Sequence, residues 1–371
     1  LLGDTDEVSD VFRSGIASLS RQSEIDEVTY LVLDLSRIIL SLNQGKGSLA
    51  IEQAQLVESR LNGVQLPTIT KAIVFLGLGR VHLDGGSLED AQRCVDLADQ
   101  EFKLLPASVR ESFVRDAMQA EIQVATCEYP AAISTAKSSL VNAVRVLSSS
   151  DLVLARLHRV LGVAYRGSQN WTEANQCFAA AKATLQHHKS KSIRDEIFLD
   201  LDEAFLMASG GDLKRAIGIA SSSAAEAERA YGSGSFVTLT ARNMLGCWMV
   251  AAKDVGGAKT VFDAAVAGIE EGELSSMLAA EIYMNSASVE TRLLNVRLAM
   301  ERYSAGNHVR LHNGLPDTVK GYDLFRLAKI KAISGDSSSA LEDCKASLSL
   351  IPLRDTDLRN AITEYMRGLS G

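Results

Sequence analysis

Apolar residues recur at steps of three and four along most of the chain, and the apolar runs end at glycine or proline. This spacing is typical of amphipathic helices separated by turns. Alternating runs rich in β-branched residues, which would predict strands, are absent from the sequence. The pattern therefore predicts a succession of helices joined by short connections.

One helical segment contains a template that recurs twice elsewhere. In residues 161–181 a Leu-Gly pair precedes a large residue, an alanine, another large residue and another alanine, with the spacing L-G-x2-(large)-x8-A-x3-(large)-x2-A. Residues 78–98 and 245–265 have the same spacing. We interpret the template as a helical hairpin, in which the glycine lets the second helix approach closely and the first alanine lies where the two helices cross.

The crossing alanine recurs along the chain with a steady period. It is found at eight positions, which are Ala50, Ala91, Ala132, Ala174, Ala216, Ala258, Ala299 and Ala340. Successive positions are 41 or 42 residues apart, and turn-forming residues precede nearly every one at the same offset. A fixed period of this length is the signature of a repeat array. The sequence therefore predicts an all-α fold, a right-handed α-solenoid (superhelix) of about eight helical hairpins.

The template resembles the consensus of the tetratricopeptide repeat (TPR) family, over roughly residues 23–352. Family units usually have 34 residues, so the longer units here predict longer helices. Two copies depart from the consensus, because Ala204 and Ala328 replace the glycine. In unit length the chain is similar to the helical sensor arms of MalT-type activators and related signal-transduction NTPases, and to the TPR subunit of the cohesin loader.

The two ends of the sequence extend the array. Stepping 41 residues back from Ala50 reaches Ser9, so residues 1–22 are predicted to be the end of a truncated preceding hairpin. Residues 23–352 are predicted to form the TPR-like array. Residues 353–371 are predicted to form a C-terminal capping helix, because their outer face is charged.

Composition narrows the class of protein. The 371 residues include 38 basic and 46 acidic side chains, which gives a net charge of −8 and argues against general nucleic-acid binding. No stretch approaches the ~20 apolar residues that a membrane helix needs, and the N-terminus does not resemble a signal peptide. The five cysteines are dispersed, which predicts a reduced, intracellular protein (cytoplasmic or nuclear) with buried thiols.

The sequence contains no catalytic constellation. Residues 43–48 contain Gly-Lys-Gly but lack the spacing of a phosphate-binding loop. His308 and His312 are four residues apart, yet no glutamate of an HExxH motif lies between them. We therefore expect no enzymatic activity, no metal site and no cofactor. A hydrolase within the helical array is the remotest alternative.

Charged and amide side chains on the predicted first helices are the candidate site, because first helices line the concave side of a helical-hairpin solenoid. The predicted partner-binding residues are Arg156, Arg159, Arg166, Asn243, Asn285, Arg292, Arg326 and Lys329. Arginine and asparagine suit carboxylates and peptide groups, so we expect a protein or peptide partner of acidic character. A solvated helix face would show the same residues, and both interpretations stay open here.

The leading functional hypothesis is a non-enzymatic interaction module. In one version it is the ligand-sensing or autoinhibitory arm of a larger regulator, which predicts an NTPase or DNA-binding domain elsewhere in the full-length chain. In the alternative it is a constitutive scaffold subunit of a multiprotein complex, which predicts no such domain. The domain order of the full-length gene product separates the two.

Overall fold

The computed structural model describes residues 31, 34–38, 41, 47–61, 66–105, 110–188, 192–272, 276–311, 317–353 and 355–370. The predicted hairpin end at residues 1–22 and the candidate phosphate loop up to residue 46 lie outside this part of the chain. From Gly47 onward the described residues form sixteen helices and contain no strand. The helices are α1 (Gly47–Leu61), α2 (Thr68–Gly85), α3 (Leu88–Phe102), α4 (Arg110–Ala125), α5 (Tyr129–Val146), α6 (Leu152–Gly167), α7 (Trp171–His187), α8 (Ile193–Ser209), α9 (Leu213–Tyr231), α10 (Phe236–Ala251), α11 (Val255–Glu271), α12 (Met277–Arg292), α13 (Val296–Leu311), α14 (Asp317–Ile333), α15 (Ser337–Leu350) and α16 (Thr356–Ser370).

The predicted register of the repeat is confirmed. All eight crossing alanines are fully buried. Each is the fourth residue of an odd-numbered helix, from Ala50 in α1 to Ala340 in α15. Even-numbered helices α2 to α14 are the first helices of the hairpins, and odd-numbered helices are the second. The fold is the predicted all-α, TPR-like solenoid, in which a larger side chain at the alanine positions would push the paired helices apart.

Seven hairpins share one turn geometry. The first helix ends at a residue in the left-handed conformation, and the next residue donates its backbone N–H to a carbonyl five positions earlier, at 2.7–3.0 Å. This is the Schellman arrangement, which satisfies carbonyls at a helix end. The left-handed residues are Gly86, Cys127, Gln169, Gly211, Lys253, Leu294 and Gly335. Because the connection is so short, the second helix folds back directly onto the first.

The glycine of the template permits close helix packing. A Cβ added to Gly162 would lie 2.5 Å from Cε1 of Phe178, which is fully buried on the second helix of the same hairpin. A Cβ added to Gly246 would likewise lie 2.6 Å from Cζ of Phe262. The large residue that follows the crossing alanine therefore packs directly onto the glycine of its own hairpin.

The helices form two compact units, each with its own apolar core. One comprises Leu1–Met244 with Gly268–Leu274, and the other comprises Leu245–Ala267 with Ser275–Gly371. Cys94 lies in a core of the first unit and Cys344 in a core of the second, as the dispersed cysteines predicted. Cys127 is exposed at a turn, so the expectation of buried thiols is wrong for this residue.

Helix α16 follows the last hairpin. Its Ile362 is fully buried in the core that contains Cys344, and Tyr365 meets the Phe325 ring edge-on at 5.5 Å. Arg359 donates to the carbonyls of Leu348 and Ile351 at the end of α15. No helix of the described residues is long and apolar enough to span a membrane.

Candidate functional site

All eight residues predicted to bind a partner lie on first helices. We call the charged and amide side chains of these helices the first-helix face. In the first unit, α2 contacts α4, α4 contacts α6, and α6 contacts α8. In the second unit, α12 contacts α14. Side chains one repeat apart in sequence are therefore neighbours in space.

Arg156 of α6 forms a two-pronged ion pair with Asp195 of α8. Its Nε and Nη2 donate to the two carboxylate oxygens, both at 3.1 Å, and Ser192 Oγ donates to Asp195 Oδ2 at 2.7 Å. Burial opposes ionisation of Asp195, but the Arg156 guanidinium, the Ser192 hydroxyl and Arg194 together lower the pKa of the carboxyl to about 2. Arg156 is therefore already engaged with a carboxylate of its own chain.

Arg159 and Arg166, also on α6, both pair with Asp202 of α8. The Arg159 Nε donates to one carboxylate oxygen at 2.9 Å and the Arg166 Nη1 to the other at 2.6 Å. Each guanidinium also lies over a ring of α8, at 4.7 Å from the Phe198 centroid and 4.3 Å from the Phe205 centroid. Stacking and ion pairing together hold both side chains in place.

The pairing extends to α2 and α4. Arg80 forms ion pairs with Glu121 of α4 and with Asp84 on its own helix. Burial opposes ionisation of Glu121, but Arg80 lowers the pKa of this carboxyl. Arg194 of α8 donates to Asp84 Oδ2 at 2.7 Å, which joins α8 to α2 across 110 residues of sequence.

These contacts form three groups of ion pairs in the first unit. Electrostatic interactions of Glu121 with Arg156 and Arg159, and of Asp195 with Arg194, connect the groups, and we call the whole set the arginine–carboxylate network. Its nine members are Arg80, Asp84, Glu121, Arg156, Arg159, Arg166, Arg194, Asp195 and Asp202. Sequence reasoning found three of the arginines and none of the four carboxylates. Opposite charges one repeat period apart, as in Arg80 and Glu121, are the sequence signal that could have predicted such ion pairs between neighbouring first helices.

In the second unit an arginine and an asparagine meet across the repeat. Arg326 of α14 donates from Nη2 to Asn285 Oδ1 of α12 at 3.1 Å, and from Nη1 to Asp323 at 3.1 Å. Asp323 also accepts from Arg310, so one carboxylate serves two guanidinium groups. Asn285 and Arg326 are 41 residues apart, which is one repeat period.

Lys329 and Arg292 lie close to this pair. The Lys329 Nζ is 4.0 Å from the centroid of the Phe325 ring. Burial lowers the pKa of Lys329, and repulsion from Arg292 and Arg326 lowers it further. Among the described residues, no carboxylate forms an ion pair with Lys329 or with Arg292. We call Arg292, Arg326 and Lys329 the second-unit cation cluster.

Two further sequence candidates lie elsewhere. Asn243 is on α10, in the first unit, and is 6% exposed. His308 is near the end of α13, whereas His312 lies outside the described residues. Within the described ranges there is no group of three or more His, Cys, Asp or Glu side chains placed to hold a metal ion.

No protein-family model and no curated protein matches the sequence. Solved structures nevertheless share its fold. The crystal structure of the APC/C hetero-tetramer Cut9–Hcn1 aligns with a TM-score of 0.62 and 11% identity, over 95% of this chain and 59% of that one. A Rap protein complexed with competence and sporulation factor aligns with a TM-score of 0.55 and 12% identity, over 92% and 98% of the two chains. Aspartyl phosphate phosphatase F from Bacillus subtilis aligns with a TM-score of 0.52 and 12% identity, over 94% and 95%.

The similar structures are TPR-type helical repeat proteins. At 11–12% identity the similarity shows the fold alone. It agrees with the all-α, TPR-like solenoid that the described helices form.

Proposed function

We propose that the chain is a non-enzymatic, TPR-like module that binds a protein or peptide partner through its first-helix face. The observation that carries the proposal is the concentration of charged and amide side chains on contacting first helices. The residues we assign to partner binding are Arg156, Arg159, Arg166, Asn243, Asn285, Arg292, Arg326 and Lys329. In the first unit, a partner carboxylate would have to replace Asp195 or Asp202 in the existing ion pairs.

Two of the similar structures support the proposal by analogy. One is a hetero-tetramer, and the other is a protein complexed with competence and sporulation factor. These associations belong to those proteins. They favour an interaction role for the present chain because a solenoid offers an extended surface and the fold is shared.

Within this function, we propose the ligand-sensing arm of a larger regulator, supported by the similarity of unit length to MalT-type sensor arms. A constitutive scaffold subunit, as in a cohesin-loader-like assembly, is the second candidate. A full-length product with an NTPase or DNA-binding domain favours the first. A complex that copurifies in constant ratio, from a chain with no such domain, favours the second.

Hydrogen–deuterium exchange on a purified complex tests the proposed surface. The chain is used as bait, the captured partner is purified, and the complex is reconstituted from the two components. We expect partner-dependent protection on the first helices, with α6, α12 and α14 among them. Protection confined to second helices such as α7 and α15 would contradict the proposed surface, and turnover of a small substrate by the chain alone would contradict the non-enzymatic assignment.

A further inference from the structure

The sequence contains three serine triplets, and the structure places them in different surroundings. They are residues 148–150, 221–223 and 337–339. The first lies in the connection between α5 and α6, the second lies within α9, and the third is in the first turn of α15. None of the three belongs to the proposed partner surface, so each is a candidate for another role.

The first triplet forms an exposed turn. The backbone N–H of Asp151 donates to the carbonyl of Ser148 at 2.9 Å, which closes a four-residue turn. The hydroxyl oxygens of Ser148 and Ser150 are hydrogen-bonded to each other at 3.2 Å. Ser149 lies between them and is exposed, and within the described part of the chain its hydroxyl has no hydrogen-bond partner. Ser149 therefore offers a hydroxyl oxygen that an enzyme can reach.

Basic side chains from three helices border this turn. Arg110, the first residue of α4, donates from Nε and Nη2 to the two carboxylate oxygens of Asp151 at 2.8 and 2.9 Å. Arg145 lies in the last turn of α5, just before the triplet, and it is exposed. Among the residues that the structure describes, Arg145 forms no ion pair. His188, which follows α7, has its Nδ1 2.7 Å from the carbonyl oxygen of Ser150. Two arginines and a histidine therefore border a turn whose own carboxylate is Asp151.

The other two triplets lie beside acidic side chains. Ser222 is exposed on α9, and Glu226 is one turn later on the same helix. Ser338 is exposed at the start of α15, between Asp336 and Glu342. A phosphate at either position would be repelled by a carboxylate close to it on the same helix. Of the three triplets, only the turn after α5 combines an accessible serine with basic neighbours.

We propose that Ser149 is a phosphorylation site and that Arg110 and Arg145 bind the phosphate once it is attached. This role is independent of the partner surface on the first helices. A serine/threonine protein kinase supplies the phosphoryl group from ATP. The Ser149 Oγ attacks the γ-phosphorus, and the bond from this phosphorus to the oxygen that bridges it to the β-phosphorus breaks. ADP leaves, and the hydroxyl proton passes to a base of the kinase.

The phosphate would connect three helices. Phosphoserine has a charge of about −1.5 to −2 at pH 7 and three strong acceptor oxygens. An arginine has five N–H donors, and Arg110 uses two of them on Asp151, so it can bind the phosphate as well. The same ion pair already compensates the charge of Asp151. The modification is therefore expected to fasten the end of α5 to the beginnings of α4 and α6.

Phosphopeptide mapping tests the modification. The whole chain is incubated with magnesium-ATP and a soluble extract of the cells that naturally express it, and mass spectrometry locates the phosphate. We expect phosphate on Ser149, and more of it there than on Ser222 or Ser338. Ser149→Ala should abolish the corresponding phosphopeptide. Phosphate on other residues only, or on none, would overturn the proposed site.

Phosphoserine incorporated in place of Ser149 tests the role of the arginines. Phosphorus NMR follows the second ionisation of the phosphate, whose pKa is about 6 without neighbouring charges. Arg110, Arg145 and His188 favour the dianion, and Asp151 opposes it. We expect the pKa in the folded chain to lie about half a unit or more below its value in a peptide of residues 143–153 with the same phosphoserine.

Arg145→Gln isolates the contribution of one arginine. It should raise the phosphate pKa in the folded chain by more than in the peptide, and leave the melting temperature of the unphosphorylated chain unchanged, because Arg145 is exposed. The matched control is phosphoserine in place of Ser222, where the neighbouring Glu226 should keep the phosphate pKa at or above that of its own peptide. At position 149, a pKa equal to that of the peptide, or one that Arg145→Gln does not change, would overturn the phosphate-binding role of the arginines.

Discussion

His82 is a buried histidine at the position where two other template copies have Tyr165 and Met249. It is fully buried, and neither ring nitrogen has a hydrogen-bond partner. Asp90 is the nearest carboxylate, with 4.0 Å between its Oδ2 and His82 Nδ1. Burial outweighs this neighbour and lowers the pKa of His82 below its usual 6.5, so the folded state keeps the ring neutral. The imidazole fills core volume as an apolar residue would.

Stability should therefore depend on pH through His82. Because the unfolded chain binds the proton more readily, the free energy of unfolding should fall as the pH drops below about 6.5. His82→Met should flatten this fall, and urea unfolding at about pH 7.5 and about pH 5.5 measures it. His187→Gln, at an exposed position, is the matched control. An equal pH dependence in wild type and His82→Met would contradict the assignment.

The template glycines and the short turns shape each hairpin. Gly162 and Gly246 are each covered by a buried phenylalanine of the partner helix. The turns need a left-handed residue, yet four of seven hairpins use Cys127, Gln169, Lys253 or Leu294 instead of glycine. The left-handed conformation costs free energy for residues other than glycine. Close packing between the paired helices and the backbone hydrogen bonds of the turn therefore offset this cost.

A pair of glycine substitutions tests the packing role. Gly162→Ala should reduce stability by about 1–3 kcal/mol, because the added methyl meets Phe178 in a fully buried site. Gly218→Ala is the control on α9, where no atom lies within 4 Å of the added Cβ, and it should raise stability by about 0.5–1 kcal/mol. If denaturant unfolding shows the same change in the free energy of unfolding for both variants, helix propensity alone explains the two changes. The packing role of Gly162 would then be wrong.

Within the first unit, the contact between Arg194 and Asp84 joins helices that are three hairpins apart. In an ideal repeat array each hairpin contacts only its neighbours, and stability is a sum of local and nearest-neighbour contributions. A partly buried ion pair between α2 and α8 adds a longer-range contribution. The hairpins between these helices are therefore expected to unfold together.

A double-mutant cycle measures this contribution. We expect Asp84→Asn and Arg194→Gln each to lower the free energy of unfolding, with a coupling of about 0.5–3 kcal/mol between them. Native-state hydrogen exchange should show α2 and α8 opening together in wild type and independently in the double variant. Strictly additive effects would show that the pair contributes no coupling.

The repeat is visible in the sequence because each hairpin is specified locally. Eight alanines at a steady period predict the eight buried helix crossings, and the Leu-Gly pair marks the first helix, because short-range spacing decides which residues meet inside a hairpin. Asn285 and Arg326, which the structure shows to be neighbours, are also one period apart. The handedness of the solenoid and the extent of the array before Gly47 stay predictions.

The partners of the charged residues depend on the tertiary structure. Whether an arginine meets a carboxylate on the next first helix depends on how successive hairpins are rotated and offset, and this geometry is set by packing rather than by spacing in one helix. Sequence reasoning therefore grouped Arg156, Arg159 and Lys329 as one kind of residue. Packing pairs the first two with acidic residues of α8 and leaves Lys329 among cations. Only three-dimensional proximity distinguishes a charge that is compensated by a carboxylate of the chain from one that lies among other cations.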